Sequence, residues 1–457
     1  GGTVLVPAGE FISGTIFLDH NVNLHLAAGA VLKGSPNLDD YYNQNGRFGL
    51  IRAWGKHNIS ITGQGEINGS DTTFFDLGKP HVGQDFDRQY TRQAQDYMNF
   101  ENGIQDGPIA YEARPGVLVV LLRCEDVTIE GVTFCNSPSW TLRIGDCDGV
   151  NVRGINIYNN LLIPNSDGIH CTTSRNVRIS DCDIRCGDDA IIVTGFGDEI
   201  TVGGDDSRSD VTYARRPVGN KTGYAENVVV TNCVLQSRSS GIRVGYGANN
   251  IRNCVFSNLV IYESNRGLGV FARDAGSIEN ILFSNITLQT RLHTGHWWGN
   301  GEPIHVSAIA QNKEVPVGSI KNVRFKNIIA KSESGILVYG EKPDIIRDVV
   351  FEDVRVKIGP GEHNKTYGGN FDLRPVAELK DAIFEHEIPG LYAQNVNGLK
   401  IKDFRITADI KLPTFYSFGL DCRNVDGFLY EGISGDRDRF GGEDFIHLVD
   451  CKIVEQD

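Results

Sequence analysis

Short stretches of alternating apolar and polar residues recur along the chain. Each copy begins with Asn, Asp or Gly and continues as apolar, any residue, apolar. An alternation with a period of two is typical of a β-strand that buries one face. The copies include 126–129, 149–152, 176–179, 227–230, 280–283, 322–325 and 348–351.

The spacing of these copies is regular, at about 23 to 29 residues, and it doubles where a loop or a weaker copy intervenes. A fixed period of this size indicates a solenoid. Helical solenoids need apolar residues three and four positions apart, which are almost absent here, and the 53 glycines disfavour helices. We therefore expect an all-β fold, a right-handed single-stranded parallel β-helix, as a single domain over residues 1–457.

Asparagines fall at matching places in several copies, at positions 232, 258, 285 and 327. Asn tolerates the left-handed conformation of a tight turn, and its side chain can bond to neighbours above and below. Asn232, Asn258, Asn285 and Asn327 are thus expected to stack at one corner of the coil, with a structural role.

Two segments interrupt the repeats, near 70–111 and 197–225. The first contains the polar and aromatic residues Asp85, Arg88, Tyr90, Arg92 and Tyr97. Long loops on a rigid scaffold often wall a binding site, and a wall at one end of a groove favours attack at chain ends. The chain enters strand-like sequence directly at Gly1, so we expect an N-terminal cap to be missing and the first coil to be partly exposed.

Composition excludes several classes of partner. The net charge of −14 and the pI near 5.3 argue against nucleic acid, which favours a basic face. No apolar stretch approaches the ~18 residues of a membrane span. The ten cysteines form no CxxC pair and no paired His/Cys spacing, so neither zinc nor another cofactor is expected. We expect a secreted or periplasmic protein, with the cytoplasm left open, and the oligomeric state is unknown.

Two acidic segments carry the candidate chemistry: Asn-Ser-Asp-Gly at 165–168 and Gly-Asp-Asp at 187–189. Asp167 and Asp188 lie 21 residues apart, close to one repeat, so Asp167, Asp188 and Asp189 should meet on one face. Cleavage of a glycosidic bond needs one carboxylic acid to protonate the leaving oxygen and another carboxylate to handle water or the sugar. The alternative for Gly-Asp-Asp alone is an ordinary acidic turn.

These residues give the chain a resemblance to the polygalacturonase family, glycoside hydrolase family 28. The similar motifs extend over about three-quarters of the chain and include 2–9, Arg114-Pro115, 136–140 and the two acidic segments. The resemblance implies that Asp188 is the general acid, that Asp167 and Asp189 activate water for an inverting displacement, and that Asn165 orients the site. Crowding of three carboxylates should raise at least one of their pKa values.

The stereochemistry implied by the resemblance disagrees with the coil spacing. Neighbouring coils lie ~4.8 Å apart. Carboxyl groups ~5 Å apart usually indicate retention, whereas inversion usually needs ~6.5–9.5 Å. We follow the resemblance and predict inversion, because coil offsets and rotamers can widen the gap.

Two departures from the family bear on the substrate. Ser240 stands at the histidine of the family's Gly-His-Gly, and Phe271 stands at the lysine of its Arg-Ile-Lys. Without these partners a galacturonate carboxylate next to the cleaved bond would lack its usual charges. Nearby replacements in substrate binding are Arg243, Arg266 and Arg273, with His170 as a candidate for the missing histidine. For Arg243 we expect an outward orientation into the groove, without a carboxylate partner.

A segment at 293–305 places Trp297 and Trp298 among glycines, with Glu302 close by. Exposed aromatic residues flanked by Gly commonly stack on sugar rings, and acidic neighbours read hydroxyls. The alternative is a loop anchored by Trp in a small core. We expect one Trp to pack and the other to contact sugar.

The leading hypothesis is a glycoside hydrolase that acts, without metal and from chain ends, on a pectin-related polysaccharide or oligosaccharide. The alternatives are a Ca²⁺-dependent polysaccharide lyase on the same scaffold and a noncatalytic glycan-binding β-helix.

Overall fold

The chain folds as a right-handed parallel β-helix, as the repeat predicts. A computed structural model describes residues 1–43, 46–83, 86–98, 104–196, 223–442 and 444–454. Within that part of the chain, 32 strands form one sheet, and neighbouring coils pair in parallel. Each coil presents three faces.

The first two faces are built from separate strands in the early coils and from long bent strands in the later ones. First-face strands are Gly2–Val6, Val22–Leu26, His57–Gly63, Glu125–Glu130, Asp148–Arg153 and Arg175–Ser180. Second-face strands are Gly9–Ser13, Ala30–Gly34, Glu66–Asn68, Thr133–Cys135, Asn156–Tyr158 and Asp183–Cys186. The strands that cross both faces are Ala225–Ser237, Ile251–Ser264, Ile278–Thr290, Ile320–Ser332, Ile346–Ile358 and Leu391–Thr407, followed by Leu429–Glu431 and Ser434–Gly435.

The third face carries the candidate site. Its strands are Ile16–Phe17, Ile51–Trp54, Val119–Leu122, Leu142–Gly145, Ile169–Thr172, Ile191–Thr194, Ser240–Gly245, Arg266–Ala272, Ile304–Ala308, Ile336–Gly340, the start of Leu391–Thr407, Leu420–Asp426 and Ile446–Val449. In many of these strands every residue is buried, because loops cover the outward side as well. Inward and outward residues alternate as in any strand, so the outward row can hold polar side chains under those loops.

Short antiparallel strand pairs, a short α-helix and several 3-10 turns lie outside the three faces of the coil. Antiparallel pairs join Tyr42–Asn43 with Gly46–Arg47, Phe75–Pro80 with Ile109–Tyr111, and Asn370–Asp372 with Ile383–Glu385. One short α-helix covers Asn364–Tyr367, and 3-10 turns cover Leu38–Tyr41, Asp71–Thr73, Arg88–Tyr90, Ala94–Asp96, Leu379–Asp381 and Arg437–Arg439. No helix in the described ranges has the length and apolar character needed to cross a membrane.

The predicted asparagine stack forms the corner between the first two faces. Asn232, Asn258, Asn285 and Asn327 all have a left-handed backbone, with φ between 52° and 57°. The amide of Asn327 donates to Asn285 (2.8 Å), and that of Asn285 donates to Asn258 (3.3 Å). The structural interpretation of these residues is therefore confirmed.

The core is a continuous column of apolar side chains inside the coil. Its clearest feature is a stack of rings: Phe256, Phe283, Phe325 and Phe351 lie parallel, with centroids 4.9 to 5.0 Å apart. Each ring occupies the same position in successive strands, which repeats one packing contact from coil to coil. This repetition packs the first-face parts of four successive long strands in one register.

The first predicted insertion lies against the third face, and the second is not described. The described part of 70–111 forms the pair Phe75–Pro80 with Ile109–Tyr111 and three 3-10 turns, while Asp85 lies outside the described residues. Residues 197–222, most of the second insertion, also lie outside them. In the first coil Val4, Leu5 and Ile12 are exposed.

Candidate active site

The three aspartates meet on the third face, as their spacing predicts. The backbone amide of Gly168 donates to the carbonyl of Asp189 (2.9 Å), which places Asp167 and Asp189 at the same level of neighbouring coils. Carboxylate oxygens of Asp167, Asp188 and Asp189 all lie within 4.8 Å of one another. Asp167 and Asp189 are buried, whereas Asp188 is partly exposed.

Glycine allows this close approach. A side chain at Gly187 would collide with the carbonyl of Ile163 and with the hydroxyl of Ser166 on the preceding coil. That hydroxyl accepts a hydrogen bond from the Gly187 amide (2.9 Å). The turn before Asp188 is therefore held against the preceding coil by the Ser166 hydroxyl and by the space that a glycine leaves.

Asp188 is held by its neighbours with its carboxyl facing outward. The amide of Asn165 lies 3.5 Å from one Asp188 oxygen, and the Asp189 backbone N–H donates to the other (2.9 Å). The Ser237 hydroxyl donates to the Asp188 carbonyl (2.6 Å). Loss of hydration, reinforced by the nearby charge of Asp189, raises the pKa of Asp188 to about 7. A carboxyl with this pKa can hold a proton near neutral pH.

Arg243 pairs with the acidic group, contrary to our expectation. Its Nε lies 2.5 Å from Oδ2 of Asp189, and only 9% of the Arg243 side chain is exposed. Arg243 was expected to face the groove without a carboxylate partner. The pairing arises because Ser240–Gly245 lies one coil beyond Ile191–Thr194, which places Arg243 beside Ile192 and above Asp189.

His170 lies in the same outward row, next to Asp167. Its Nδ1 is 3.8 Å from an Asp167 oxygen, and its ring packs on Trp140 with centroids 3.8 Å apart. The ring is fully buried, and this burial, with Arg243 and Arg143 nearby, places the pKa of His170 well below its usual range. His170 is therefore a neutral neighbour of the acidic group.

The remaining predicted cations lie further along the third face, and each is held by protein groups. Arg266 occupies the position of Ser240 one coil on, with Nε 3.7 Å from Glu302. Glu302 also contacts His305 (3.6 Å) and accepts from the Asn300 amide (2.6 Å). The three residues Arg266, Glu302 and His305 are buried. They form a buried charged cluster, in which Nε and Nη2 of Arg266 make no hydrogen bond to the described residues.

Arg273 is fully buried and is bound by backbone and hydroxyl groups. It donates to the carbonyl of Ser307 (3.1 Å), the hydroxyl of Ser307 (2.9 Å) and the carbonyl of Leu373 (3.0 Å). Phe271, at the position of the family's lysine, lies between Arg273 and Arg266, with guanidinium carbons 5.2 and 4.8 Å from its ring centroid. Substrate contact by Arg266, Arg273 and Glu302 stays a prediction.

The two tryptophans differ in burial, and contact of Trp298 with sugar stays a prediction. Trp297 is 5% exposed, and its indole N–H donates to the carbonyl of Asp106 (2.5 Å). Trp298 is partly exposed, and its ring meets Tyr246 edge to face, with centroids 6.4 Å apart. Trp297 is the member that packs, and Trp298 is the member near the groove.

Several residues of the site escaped the sequence analysis. Tyr246 lies under the guanidinium of Arg243, whose central carbon is 4.4 Å from the ring centroid. Asp106, from the first insertion, binds the 293–305 segment by accepting from His293 Nδ1 (3.0 Å), the Thr294 amide (2.7 Å) and Arg291 (2.9 Å). The sequence could have indicated Tyr246, because it is an aromatic residue between two glycines, much as the two tryptophans lie among glycines. No sequence pattern indicates Asp106.

The acidic group is also the place where a cation would find ligands. Among the described residues, Asp167, Asp188 and Asp189 are a set of carboxylates close enough to share one ion. Arg243 already supplies a positive charge to Asp189. The prediction that no metal is needed stays a prediction.

A coil of parallel strands with a carboxylate cluster on one face, one member of which can hold a proton, is the arrangement of a glycoside hydrolase. Residues 111–369 match the model of glycosyl hydrolases family 28. The chain belongs to this family, which confirms the resemblance.

Individual relatives are distant. The chain is 31% identical to a probable polygalacturonase of Arabidopsis thaliana over 26% of its own length and 27% of the relative, so it spans about a quarter of that protein. It is 21% identical to an endo-polygalacturonase of Pectobacterium carotovorum subsp. carotovorum, over 78% of this chain and 80% of the other. Its fold is similar to that of a family 28 exopolygalacturonase of Yersinia enterocolitica, with a TM-score of 0.61, 16% identity, and coverage of 95% of this chain and 73% of the other.

Proposed function

We propose that the protein hydrolyses glycosidic bonds in a pectin-related polysaccharide or oligosaccharide. The observation that carries this proposal is the three-carboxylate group, with Asp188 partly exposed at a pKa of about 7 and Asp167 and Asp189 buried beside it. In this scheme Asp188 donates its proton to the leaving oxygen. Asp167 and Asp189 accept the proton of the attacking water.

An inverting reaction is part of the proposal. The short distance between the carboxylates would, by itself, favour a retaining enzyme. A retaining enzyme, however, needs a carboxylate that reaches the anomeric carbon and bonds to it. Asp167 is 2% exposed, and Asp189 is 4% exposed and paired with Arg243. These two are better placed to hold a water molecule than to attack the sugar themselves.

Attack at chain ends is also proposed. The first insertion is tied across the third face: Asp106 binds the 293–305 segment, and Arg92 contacts the carbonyl of Gly369 (3.2 Å) and the carboxylate of Glu387 (3.0 Å). These contacts support a wall on one side of the acidic group. A wall there favours a groove that admits only the end of a glycan chain.

Substrate contacts complete the proposal. Trp298 offers a ring face for stacking, Asn165 orients Asp188, and His170 packs behind Asp167. Arg266, Arg273 and Glu302 lie in the coils beyond and would shape the adjoining subsite, with Trp297 supporting Trp298. A pectic substrate outside the cell is consistent with a secreted or periplasmic protein.

The test is a screen of pectic and nonpectic polysaccharides for released reducing ends, with the anomeric configuration of the first product followed by NMR. Inverted product from one of the pectic glycans, unchanged by a metal chelator and absent with Asp188→Asn, is the expected result. An unsaturated product that absorbs in the ultraviolet and needs Ca²⁺ would indicate a lyase. Glycan binding without any turnover would indicate a binding protein.

A further inference from the structure

Asp189 is held through both of its carboxylate oxygens. The Ser240 backbone N–H donates to Oδ1 (2.8 Å), and Arg243 Nε lies 2.5 Å from Oδ2. Both contacts come from the strand Ser240–Gly245, one coil beyond Asp189. Their closeness and burial favour a charged carboxylate, because a protonated carboxyl would leave the guanidinium without its counter-ion.

Arg243 is itself fixed from its other side. Its guanidinium stacks on the ring of Tyr246, three residues along the chain, at 4.4 Å. Tyr246 in turn contacts Phe271 and Trp298. The cation therefore sits between an aromatic ring and a carboxylate, and both of these limit its movement.

Asp188 is held differently. Among the described residues, its carboxyl accepts a long hydrogen bond from the Asn165 amide and a hydrogen bond from the backbone N–H of Asp189, and neither donor is a cation. Two adjacent carboxyls with such different surroundings should share their charge unequally. The group with the buried cation carries the negative charge, and the partly exposed group carries the proton.

We infer that Arg243 is a positioning residue, which holds Asp189 as the ionised member of the acidic group and so leaves the acidic proton on Asp188. The inference rests on the proposed hydrolysis for its kinetic consequence. Arg243 itself exchanges no proton: the proton that Asp188 gives to the leaving oxygen is balanced by the one that water gives to Asp189 or Asp167.

The charges around the pair support this assignment. Burial, and after it the charge of Asp189, raises the pKa of Asp188, and Arg243 opposes this rise. Although burial works against it, Asp189 also raises the pKa of Arg243, so the guanidinium stays charged. Other titratable and charged groups surround Asp188, Asp189 and Arg243. They are Asp167, His170, Cys186, Arg143, Tyr246, Arg266 and Arg273.

The test compares Arg243→Gln, which removes the charge, with Arg243→Lys, which keeps it. An opposite charge at this distance changes a carboxyl titration by about one to three pH units. In Arg243→Gln both limbs of the pH profile of kcat should therefore move to higher pH by at least about one unit, and kcat should fall about 10²-fold, as for a misplaced catalytic group. Arg243→Lys should recover most of the wild-type profile.

A matched control is Arg252→Gln. Arg252 pairs with Glu226 at 2.7 Å on the first face, away from the aspartates, and it should leave both limbs in place. If Arg243→Gln raises KM while both limbs stay where they are, Arg243 binds substrate and the inference is wrong. Thermal melting of each variant identifies any that does not fold.

A titration without substrate separates this inference from the proposed function. The carboxyl carbon signal of Asp188, in protein labelled with ¹³C-aspartate, is the one that disappears in Asp188→Asn. Its titration should move to higher pH in Arg243→Gln, whether or not a glycan substrate has been found. An unchanged titration overturns the inference even if the enzyme hydrolyses pectin, and a changed titration supports it even if hydrolysis fails.

Discussion

Arg114 donates a hydrogen bond to the side-chain oxygen of Asn165 (3.1 Å), and this bond fixes which end of the Asn165 amide faces Asp188. The nitrogen of the same amide then lies 3.5 Å from the Asp188 carboxyl. Arg114 is almost fully buried and also donates to the carbonyls of Pro138 (2.9 Å) and Pro164 (2.7 Å). It thus connects the turns of three chain segments to the proposed general acid.

Replacement of Arg114 by Met should lower kcat about tenfold or more and also lower the melting temperature. The buried carbonyls would lose their donor, at about 1–3 kcal/mol for each unsatisfied group. Steady-state kinetics and thermal unfolding measure the two effects. In the Asn165→Ala background, Arg114→Met should have no further effect on kcat, because Arg114 acts through Asn165. Additive losses would contradict this route.

Asp188→Asn should abolish hydrolysis while the fold and glycan binding persist. An amide fills the same space but cannot donate the proton, and positioned proton transfer contributes about 10²–10⁴-fold. Reducing-end assays and a binding isotherm measure the two effects. The exposed Asp409, which pairs with Lys357, provides the control variant Asp409→Asn. More than a tenth of the wild-type rate in Asp188→Asn would remove Asp188 from this role.

The same variant should be more stable than the wild type at alkaline pH. The pKa of Asp188 is raised in the folded protein to about 7, so the folded state binds more protons than the unfolded state between about pH 4 and 7. The free energy of unfolding of the wild type therefore falls over this range, by the contribution of this carboxyl. Asp188→Asn lacks that contribution, so its advantage in melting temperature should grow from pH 4 to pH 8.

Trp298→Ala should lower kcat/KM at least ~10-fold, about 1.4 kcal/mol, with little change in melting temperature. Its ring is partly exposed beside Tyr246, and a partly exposed aromatic ring can stack on a sugar. Trp297→Ala is the matched comparison: its ring is buried and bonded to Asp106, so this variant should melt earlier. Wild-type kinetics in Trp298→Ala would show that the groove runs elsewhere.

Asp106→Asn should loosen the first insertion and change the product pattern. Although burial opposes it, hydrogen bonds from His293 and Thr294 lower the pKa of Asp106, while burial keeps His293 neutral with a pKa of about 4. The stability from this carboxylate is present above the unfolded pKa of about 4 and is lost as the pH falls through the lower folded value. At pH 7 we expect a loss of about 1–3 kcal/mol in unfolding free energy.

If the insertion walls the groove, Asp106→Asn should also release longer products from polymeric pectin. Chromatography of early digestion products measures this change. A variant that melts earlier yet keeps the wild-type product pattern would separate the role of Asp106 in stability from any role in chain-end attack.

Unsubstituted polygalacturonic acid should be a poor substrate. Ser240 and Phe271 replace two charged groups of the family, and each of two nearby cations is paired with a carboxylate: Arg243 with Asp189 and Arg266 with Glu302. A galacturonate carboxylate beside the cleaved bond would compete with these two carboxylates for the cations. The measurement is kcat/KM on the homopolymer against other pectic glycans, and comparable values would contradict the prediction.

The fold and the acidic group could be predicted from sequence because both depend on the period of the chain. Residues at matching positions stack at one place on the coil, so Asp167 met Asp188 and Asp189, and Asn285 met Asn258 and Asn327. No knowledge of side-chain direction was needed for these contacts.

Other contacts could not be predicted because they join parts of the chain that share no period. Asp106 and His293 are separated by 187 residues, and they meet only because an insertion folds back over the coil. The pairing of Arg243 with Asp189 depends on the offset between neighbouring turns and on the direction of a long side chain. The pattern of apolar residues in the sequence gives neither the offset between turns nor the direction of the Arg243 side chain.

Because the aspartates lie on adjacent coils, the spacing of the carboxylates and the shape of the groove depend on different parts of the chain. The distance between Asp167 and Asp189 is set by strand pairing, whereas the walls around them come from excursions that leave the coil and return to it. Those excursions can lengthen, shorten or change composition without altering the pairing. Exchange of the loops alone could therefore change which glycan enters the groove, while the spacing of the three aspartates stays the same.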